Sequence, residues 1–480
     1  MTHIRRTKIV ATLGPASESP EILDRLIAAG VNVVRLNFSH GTADEHIKRA
    51  ELVRSTAQKH GVVVGILADM QGPKIRIGKF KSGKTHLKPG QKFIIDAALA
   101  LDAGDDDRIG LTYKELIGDV EPGSRLLLND GLIVMDVDAI LGEEIHCTVV
   151  VGGELSNNKG INRAGGGLSA RALTDKDKED IKTAVQLKAD YIAISFPCDG
   201  ADIDEARRLV HEAGGHAGIV AKIERAEAVD NLEDILAASD VVMVARGDLG
   251  VEIGDAAVPP VQKRIMRLAP KYNCPVIVAT QMMESMINNP IPTRAEVNDC
   301  ANAVLDGTDA VMLSGESAAG KYPVEAVMAM HRTCIETERQ NVLPSAATRE
   351  PRHPPRSVDE CIARMAMETA NTMPIKAIAA FTQSGNTALY MSRSMSSVPI
   401  YALTPEKDTL GRVALYRDVI PKVLPGSYSE ATDAPRATIE VLEMMHKDGL
   451  VNKGDMVVMT MGTPMGRAGS TNTMKLVRVD

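Results

Sequence analysis

A lysine and an acid two residues apart are the first sign of chemistry in this 480-residue chain, in Ala221-Lys222-Ile223-Glu224. They end an apolar run that reads as a strand, so the two side chains share one face. A lysine in such a run is costly unless its charge is paired or used. The next apolar run ends Ala245-Arg246-Gly247-Asp248, where the glycine lets a ligand approach the backbone. Two carboxylates on successive strand ends, Glu224 and Asp248, can hold one Mg2+ together with substrate oxygens. Earlier, Arg35, Asn37 and Ser39 alternate at a strand end, and Asp69, Lys74 and Arg76 cluster after another. Thr280 and Ser314 supply hydroxyls at two more ends. Such a set suits a phosphorylated carboxylic acid held through a divalent metal. Phosphoryl transfer requires mostly positioning and charge neutralisation. There is no G-x-x-x-x-G-K-[ST] loop, which argues against a P-loop mechanism.

Taken singly, each signal has a plainer reading. Lys222 and Glu224 can be a structural ion pair, Asp248 a helix cap, and Thr280 a buried hydroxyl bonded to backbone. Arg35, Asn37 and Ser39 can be a solvated strand end. Their meaning depends on the elements that bring them together.

Those elements are short β-branched runs: 8–13, 31–38, 62–70, 191–196, 218–224, 241–246, 275–281 and 310–314. Most are continuously apolar, as parallel strands buried on both faces are. Amphipathic helical stretches separate them. Ser19-Pro20 opens one helix with an N-cap and a proline at its first position, and Gly30 closes it. Thr174 with Asp177 reads as a capping box. Eight strands alternating with helices predict a (β/α)8 TIM barrel, whose catalytic groups lie at the C-terminal strand ends. An open doubly wound sheet is the other arrangement compatible with that count.

The long interval between the third and fourth runs differs in character. Turns at Lys88-Pro89-Gly90, Glu121-Pro122-Gly123 and Asn129-Asp130-Gly131 punctuate short strands, including 93–95, 125–128 and 145–151. It reads as a small all-β lid module inserted into a barrel loop. A Pro- and Arg-rich stretch from Asn341 to Arg356 reads as a linker. Beyond it, helix–strand alternation predicts a doubly wound α/β domain. The expected division is 1–71 and 171–345 for the barrel, 72–170 for the lid and 346–480 for the C-terminal domain.

Composition narrows the function classes. Hydrophobic residues make up 44% and the formal net charge is −8, so a core is affordable and no basic field for nucleic acid exists. With no Trp, five Phe and eight Tyr, the core must rest on aliphatic residues and Met. The six Cys have no C-x-x-C spacing, which disfavours zinc. No apolar run approaches ~18 residues. The expectation is a soluble cytoplasmic protein with reduced thiols and no membrane or nucleic-acid partner.

Several strings are together distinctive: Thr7–Pro15, Arg35–Gly41, Gln71–Arg76, Ala221–Glu224, Ala245–Gly250, Ala279–Met286 and Met312–Glu316. In order and spacing they resemble the pyruvate kinase family over essentially the whole chain. The resemblance implies transfer of a phosphoryl group from phosphoenolpyruvate to ADP, giving pyruvate and ATP. It implies that Arg35 binds the phosphate, Lys222 stabilises developing charge, and Glu224 with Asp248 ligates Mg2+, or Mn2+ in its place. Gly247, Asp248, Thr280 and Ser314 would hold the substrate, with Thr280 near the proton donor. Asn37, His40, Arg76 and Lys159 would face the nucleotide. The family's allosteric region matches Thr382, Ser384, Gly385, Asn386 and Thr387, which implies a phosphorylated effector; the alternative is a simple capped turn. A homotetramer is the family's common assembly.

One departure stands out. Asn37, Ser39 and Asp69 match the K+ site of many family members, but Met70 replaces a Thr ligand and Lys74 replaces a Glu. A thioether is a poor ligand for a hard cation. The Lys74 ammonium would supply the charge permanently, as in the K+-independent branch, so K+ is expected to be dispensable. Two rivals are a metal-dependent keto-acid carboligase or lyase on the same barrel, and a non-catalytic metabolite sensor. The first leaves the inserted module, Arg76 and Lys159 without a purpose. The second should have lost Lys222, Glu224, Asp248 or Thr280, and all four are present.

Overall fold

Local sequence rules set the elements, and their order sets the barrel. In a computed structural model, which describes residues 4–340 and 353–480, Ser19 caps the helix Pro20–Ala28 by accepting from the Ile22 amide. Thr174 and Asp177 form a reciprocal capping box on the helix Asp175–Gln186. The parallel strands Lys8–Leu13, Val33–Asn37, Gly65–Asp69, Tyr191–Ile194, Gly218–Ile223, Val241–Ala245, Val276–Ala279 and Ala310–Leu313 close into a barrel in that order. Closure is made by the first strand pairing with the eighth, Lys8 opposite Ala310. The open doubly wound alternative is therefore excluded.

Alternation along each strand divides the residues into two sets. Ile9, Val34, Ile66, Ile192, Ile219, Val242, Val278 and Val311 pack outward under the helices. Val10, Val33, Leu67, Tyr191, Val220, Met243, Ile277 and Met312 form the other set and fill the barrel. Each large aliphatic side chain so buried contributes ~1.5–3 kcal/mol. Continuing the inner set by steps of two leads to Thr12, Arg35, Asp69, Ser195, Lys222 and Ser314 at the C-terminal end of the strands. The same parity that packs the core thus presents the polar groups.

The interval after the third strand forms a six-stranded sheet and a two-stranded sheet. In the latter, Lys84–Leu87 pairs with Gly153–Ser156. The module has its own core around Phe93, Ile95, Leu126, Met135 and Ile145. Asn129 and Asp130 both take positive φ at its Asn-Asp-Gly turn, a conformation that Asn and Asp tolerate better than most residues.

The C-terminal domain is a five-stranded sheet, four strands parallel, with the antiparallel Thr471–Arg478 at one edge. Helices cover both faces: Ala363 and Met367 on one, Ala437 and Val441 on the other. The strand Val419–Val423 and the helix Lys407–Val413 were not anticipated from sequence. Residues 341–352, within the segment read as a linker, lie outside the described residues. This domain seats against the N-terminal end of the barrel, where Tyr191 donates to the Arg412 carbonyl at 2.7 Å and Arg393 pairs with Asp309.

Candidate active site

A cavity of about 640 Å3 opens at the C-terminal mouth of the barrel beneath the inserted module. The second strand sends Arg35 into it, followed by Asn37 and Ser39. The third contributes Asp69, the fifth Lys222 and Glu224, and the sixth leads into Asp248. From the inserted module come Lys74, Arg76 and Lys159.

Charge is concentrated at one side of this space. The Lys222 ammonium lies 2.8 Å from Glu224 Oε1 and 3.4 Å from Asp69 Oδ1, and donates to Ser195 Oγ at 2.7 Å. Arg35 donates through Nε to Asp69 Oδ2 at 2.5 Å and through Nη1 to Thr12 Oγ1 at 3.1 Å. Burial works against the charge of Lys222, but Asp69 and Glu224 overcome it and raise its pKa, so the ammonium persists. Burial likewise disfavours ionised Asp69, yet Lys222 and Arg35 bring its pKa below the ordinary value. Glu224 goes the other way. Burial pushes it up to about 7, and the neighbouring Asp248 adds to the rise against the pull of Lys222.

The surroundings of Glu224 suit a cation. Glu224 is 1% exposed. Its Oε2 accepts from the Phe196 amide at 2.9 Å, while Oε1 meets Lys222 without hydrogen-bond geometry and has no other partner. Asp248 is exposed to the cavity, in the first turn of the helix Arg246–Ile253. Two carboxylates that repel each other, one buried and one open to the cavity, fit a hard divalent cation completed by ligand oxygens.

Not every expected residue reaches the cavity wall. Thr280 and Gly247 lie beyond it and bind each other, the Gly247 amide donating to Thr280 Oγ1 at 2.8 Å. Thr280 and Gln281 both have positive φ, 64° and 54°. For β-branched Thr280 this is strained backbone of the kind found at functional sites. Ser314 is also outside the wall; its hydroxyl is buried without a partner, and its amide donates to Glu316 at 2.7 Å. His40 is exposed on the turn after the second strand.

Lys74 lines the cavity but makes no ion pair with Asp69 within 4 Å among the described residues. Burial, then Arg76 and Lys222, lower its pKa, with Asp69 pulling the other way. Met70 is buried, and its carbonyl accepts from Ser195 Oγ at 2.8 Å.

In the C-terminal domain, Thr382, Ser384, Asn386 and Thr387 line a small cavity of about 30 Å3 with Tyr428 and Arg467. Thr382 Oγ1 accepts from the Gly385 amide at 2.9 Å, and Thr387 bonds Thr471. The space holds a water molecule or two, so a larger occupant requires the surrounding loop to move.

Three participants escaped the sequence reading: Ser195, Phe196 and Glu252. Ser195 was visible as a polar residue ending an apolar strand. Nothing local marked Phe196, whose backbone sits at φ 57°, or Glu252, which is buried in a helix.

Fold and site together place a set of cations and carboxylates suited to phosphoryl transfer at the mouth of a (β/α)8 barrel. Comparison with known proteins makes this particular. The family model "Pyruvate kinase, barrel domain" matches residues 4–327, and "Pyruvate kinase, alpha/beta domain" matches 360–477. The chain is 51% identical over 484 residues to pyruvate kinase II of Salmonella typhimurium, covering 100% of this chain and 99% of that protein. It is 51% identical over 466 residues to pyruvate kinase of Haemophilus influenzae, covering 96% of each. A crystal structure of a pyruvate kinase from Cryptosporidium parvum superposes with a TM-score of 0.90 at 34% identity, covering 99% of this chain and 96% of that one. The chain belongs to the pyruvate kinase family. Its activity is phosphoryl transfer linking phosphoenolpyruvate and ADP to pyruvate and ATP, which sets aside the carboligase and sensor readings. Among the described residues, no helix is long and apolar enough to cross a membrane.

Proposed function

We propose that the residues around the barrel mouth divide the reaction as follows. Arg35 holds the phosphate of phosphoenolpyruvate. Gly247, Asp248, Thr280 and Ser314 receive its carboxylate end. Glu224 and Asp248 hold Mg2+ or Mn2+, which when bound neutralises the carboxylate and phosphoryl oxygens. A β-phosphate oxygen of ADP attacks phosphorus, the bond from phosphorus to the enol oxygen breaks, and the enolate is left. Lys222, kept cationic by Asp69 and Glu224, stabilises charge on the transferring group and on that enolate oxygen. Thr280, or a water it orients, delivers the proton that makes pyruvate. Asn37, His40, Arg76 and Lys159 face the nucleotide. The observation that carries this reading is the Arg35–Asp69–Lys222–Glu224 array, its two acids buried, beside an exposed Asp248.

Three further assignments belong to the same reading. Segments 1–71 and 171–345 form the barrel, 72–170 a lid and 346–480 a regulatory domain. Lys74 replaces K+ near the Asn37, Ser39 and Asp69 remnant. The loop of Thr382, Ser384, Gly385, Asn386 and Thr387 opens for a phosphorylated effector in a cytoplasmic homotetramer.

One assay tests the activity together with the K+, effector and assembly assignments. Pyruvate and ATP formation is followed with Mg2+ in buffer free of K+ and ammonium, beside a K+ sample and samples titrated with phosphorylated metabolites, with mass measured by light scattering. ADP-dependent turnover equal within about twofold with and without K+ is expected. Strong stimulation by K+ removes the role given to Lys74, and indifference to every metabolite removes the effector site.

A further inference from the structure

The inserted module touches the barrel at a carboxylate that the reaction itself does not use. Glu252 lies four residues after Asp248 in the helix Arg246–Ile253, so the two share one helix face, a turn apart. It is 4% exposed and lines the cavity. Its Oε1 accepts from the Asn162 side-chain amide at 3.1 Å, and its backbone carbonyl accepts from the Gly165 amide at 3.0 Å. Its Oε2 is buried without a well-formed hydrogen bond. A residue placed only for packing would not bury a carboxylate here at such cost.

The other end of this contact leads to the nucleotide side. Asn162 sits in the strand Ile161–Arg163. Immediately before it, Gly160 bridges Arg76, and the Ile77 amide donates to the Lys159 carbonyl at 3.0 Å. Immediately after it comes Gly165-Gly166-Gly167, all at positive φ between 80° and 90°. That run would pivot freely but for its ties: the Gly167 amide donates to Glu227, and Arg225 donates to the Leu168 and Ala170 carbonyls. Of these ties, only those to Glu252 reach the helix that carries Asp248.

We infer that Glu252 is a positioning residue, fixing through Asn162 the distance between the Asp248 end of the site and the segment that carries Lys159. The connection is short and physical: Asp248, one helical turn, Glu252, the Asn162 amide, then Lys159 three residues away. It sets how the nucleotide half of the cavity is registered on the phosphoenolpyruvate half. This rests on the assignment of Arg76 and Lys159 to the nucleotide.

The test is steady-state kinetics of the full-length enzyme as Glu252→Ala, Glu252→Gln, Asn162→Ala and the Glu252→Ala/Asn162→Ala double variant, beside Lys159→Ala. Each single alanine variant is expected to raise KM for ADP roughly tenfold, with KM for phosphoenolpyruvate within about twofold. The double variant should be no worse than either single one, and Glu252→Gln, which keeps an acceptor oxygen, should recover most of the loss. If Glu252→Ala fails to fold, Asn162→Ala on the accessible side of the contact carries the test alone. Equal rises in both KM values, or additive effects in the double variant, overturn the inference. A raised KM for ADP in Lys159→Ala with none in Glu252→Ala and Asn162→Ala removes the positioning role alone. An unchanged KM for ADP in Lys159→Ala removes the nucleotide assignment and this inference with it.

Discussion

The two ends of the barrel both bury charge, but they use it differently. At the N-terminal end, charges are taken up in joining the C-terminal domain. Arg393 grips Asp309 with both nitrogens, Arg417 donates to Thr7 and to the Thr308 carbonyl, and the Lys8 ammonium donates to the Val419 carbonyl at 2.5 Å. Even Asp418, which lacks hydrogen-bond partners, is boxed in by Arg6 at 3.9 Å and Arg417 at 3.7 Å. At the C-terminal mouth, Glu224 Oε1 and Asp69 Oδ1 are equally buried and equally short of hydrogen bonds, but they border an open cavity. Fixed partners make one end a structural seam. Paired charge that borders open space makes the other a place for ligands.

The sharpest way to break this comparison is to remove one cation from each end. Lys222→Met should lower kcat roughly a thousandfold, with a smaller change in Tm, because the freed carboxylates can take up water or a proton from the cavity. A loss of folding without a specific loss of turnover would place Lys222 with the seam. Arg393→Ala should do the reverse. It takes the paired guanidinium from the buried Asp309 carboxylate, which keeps the Val276 and Arg417 amides, at a cost of up to ~3–5 kcal/mol, while kcat per folded molecule stays within about threefold. Denaturant unfolding alongside turnover distinguishes the two.

A smaller effect sharpens the account of the seam. Burial pushes the Asp190 carboxyl up to about 7, against the Ile66 amide that donates to it at 2.7 Å. Its pKa in the unfolded chain is near ~4, so between about pH 4 and 7 the folded protein binds the extra proton. Stability contributed here is present at low pH and is lost as pH rises through that window. Asp190→Asn should flatten the wild-type fall in Tm between pH 5 and 8, by an amount corresponding to at most ~4 kcal/mol. Parallel curves for the two proteins would show that Asp190 titrates normally.

The sequence by itself determined a good deal. Continuous apolar runs marked the eight strands, and the two-residue side-chain period of a strand placed Lys222 with Glu224, and Arg35 with Asn37 and Ser39, on shared faces that the barrel turns into one cavity. Capping chemistry at Ser19 and Thr174 is local, so it was readable locally. Strand ends were less legible, because an apolar residue such as Val31 or Phe38 can sit in a loop beside the core as readily as in the strand. The strand Val419–Val423 was hidden because Pro421 and Lys422 interrupt its apolar residues.

Only the tertiary structure decided which neighbours complete each charge. Ser195 meets Lys222 across adjacent strands, and Glu252 meets Asn162 across 90 residues of chain. It also withheld contacts that spacing had offered: Lys74 stands off from Asp69, and Thr280 and Gly247 turn toward each other behind the wall. The reason is physical. Sequence periodicity states which face a side chain takes, whereas partner and burial depend on residues that only closure of the barrel and seating of the inserted module bring within hydrogen-bond reach.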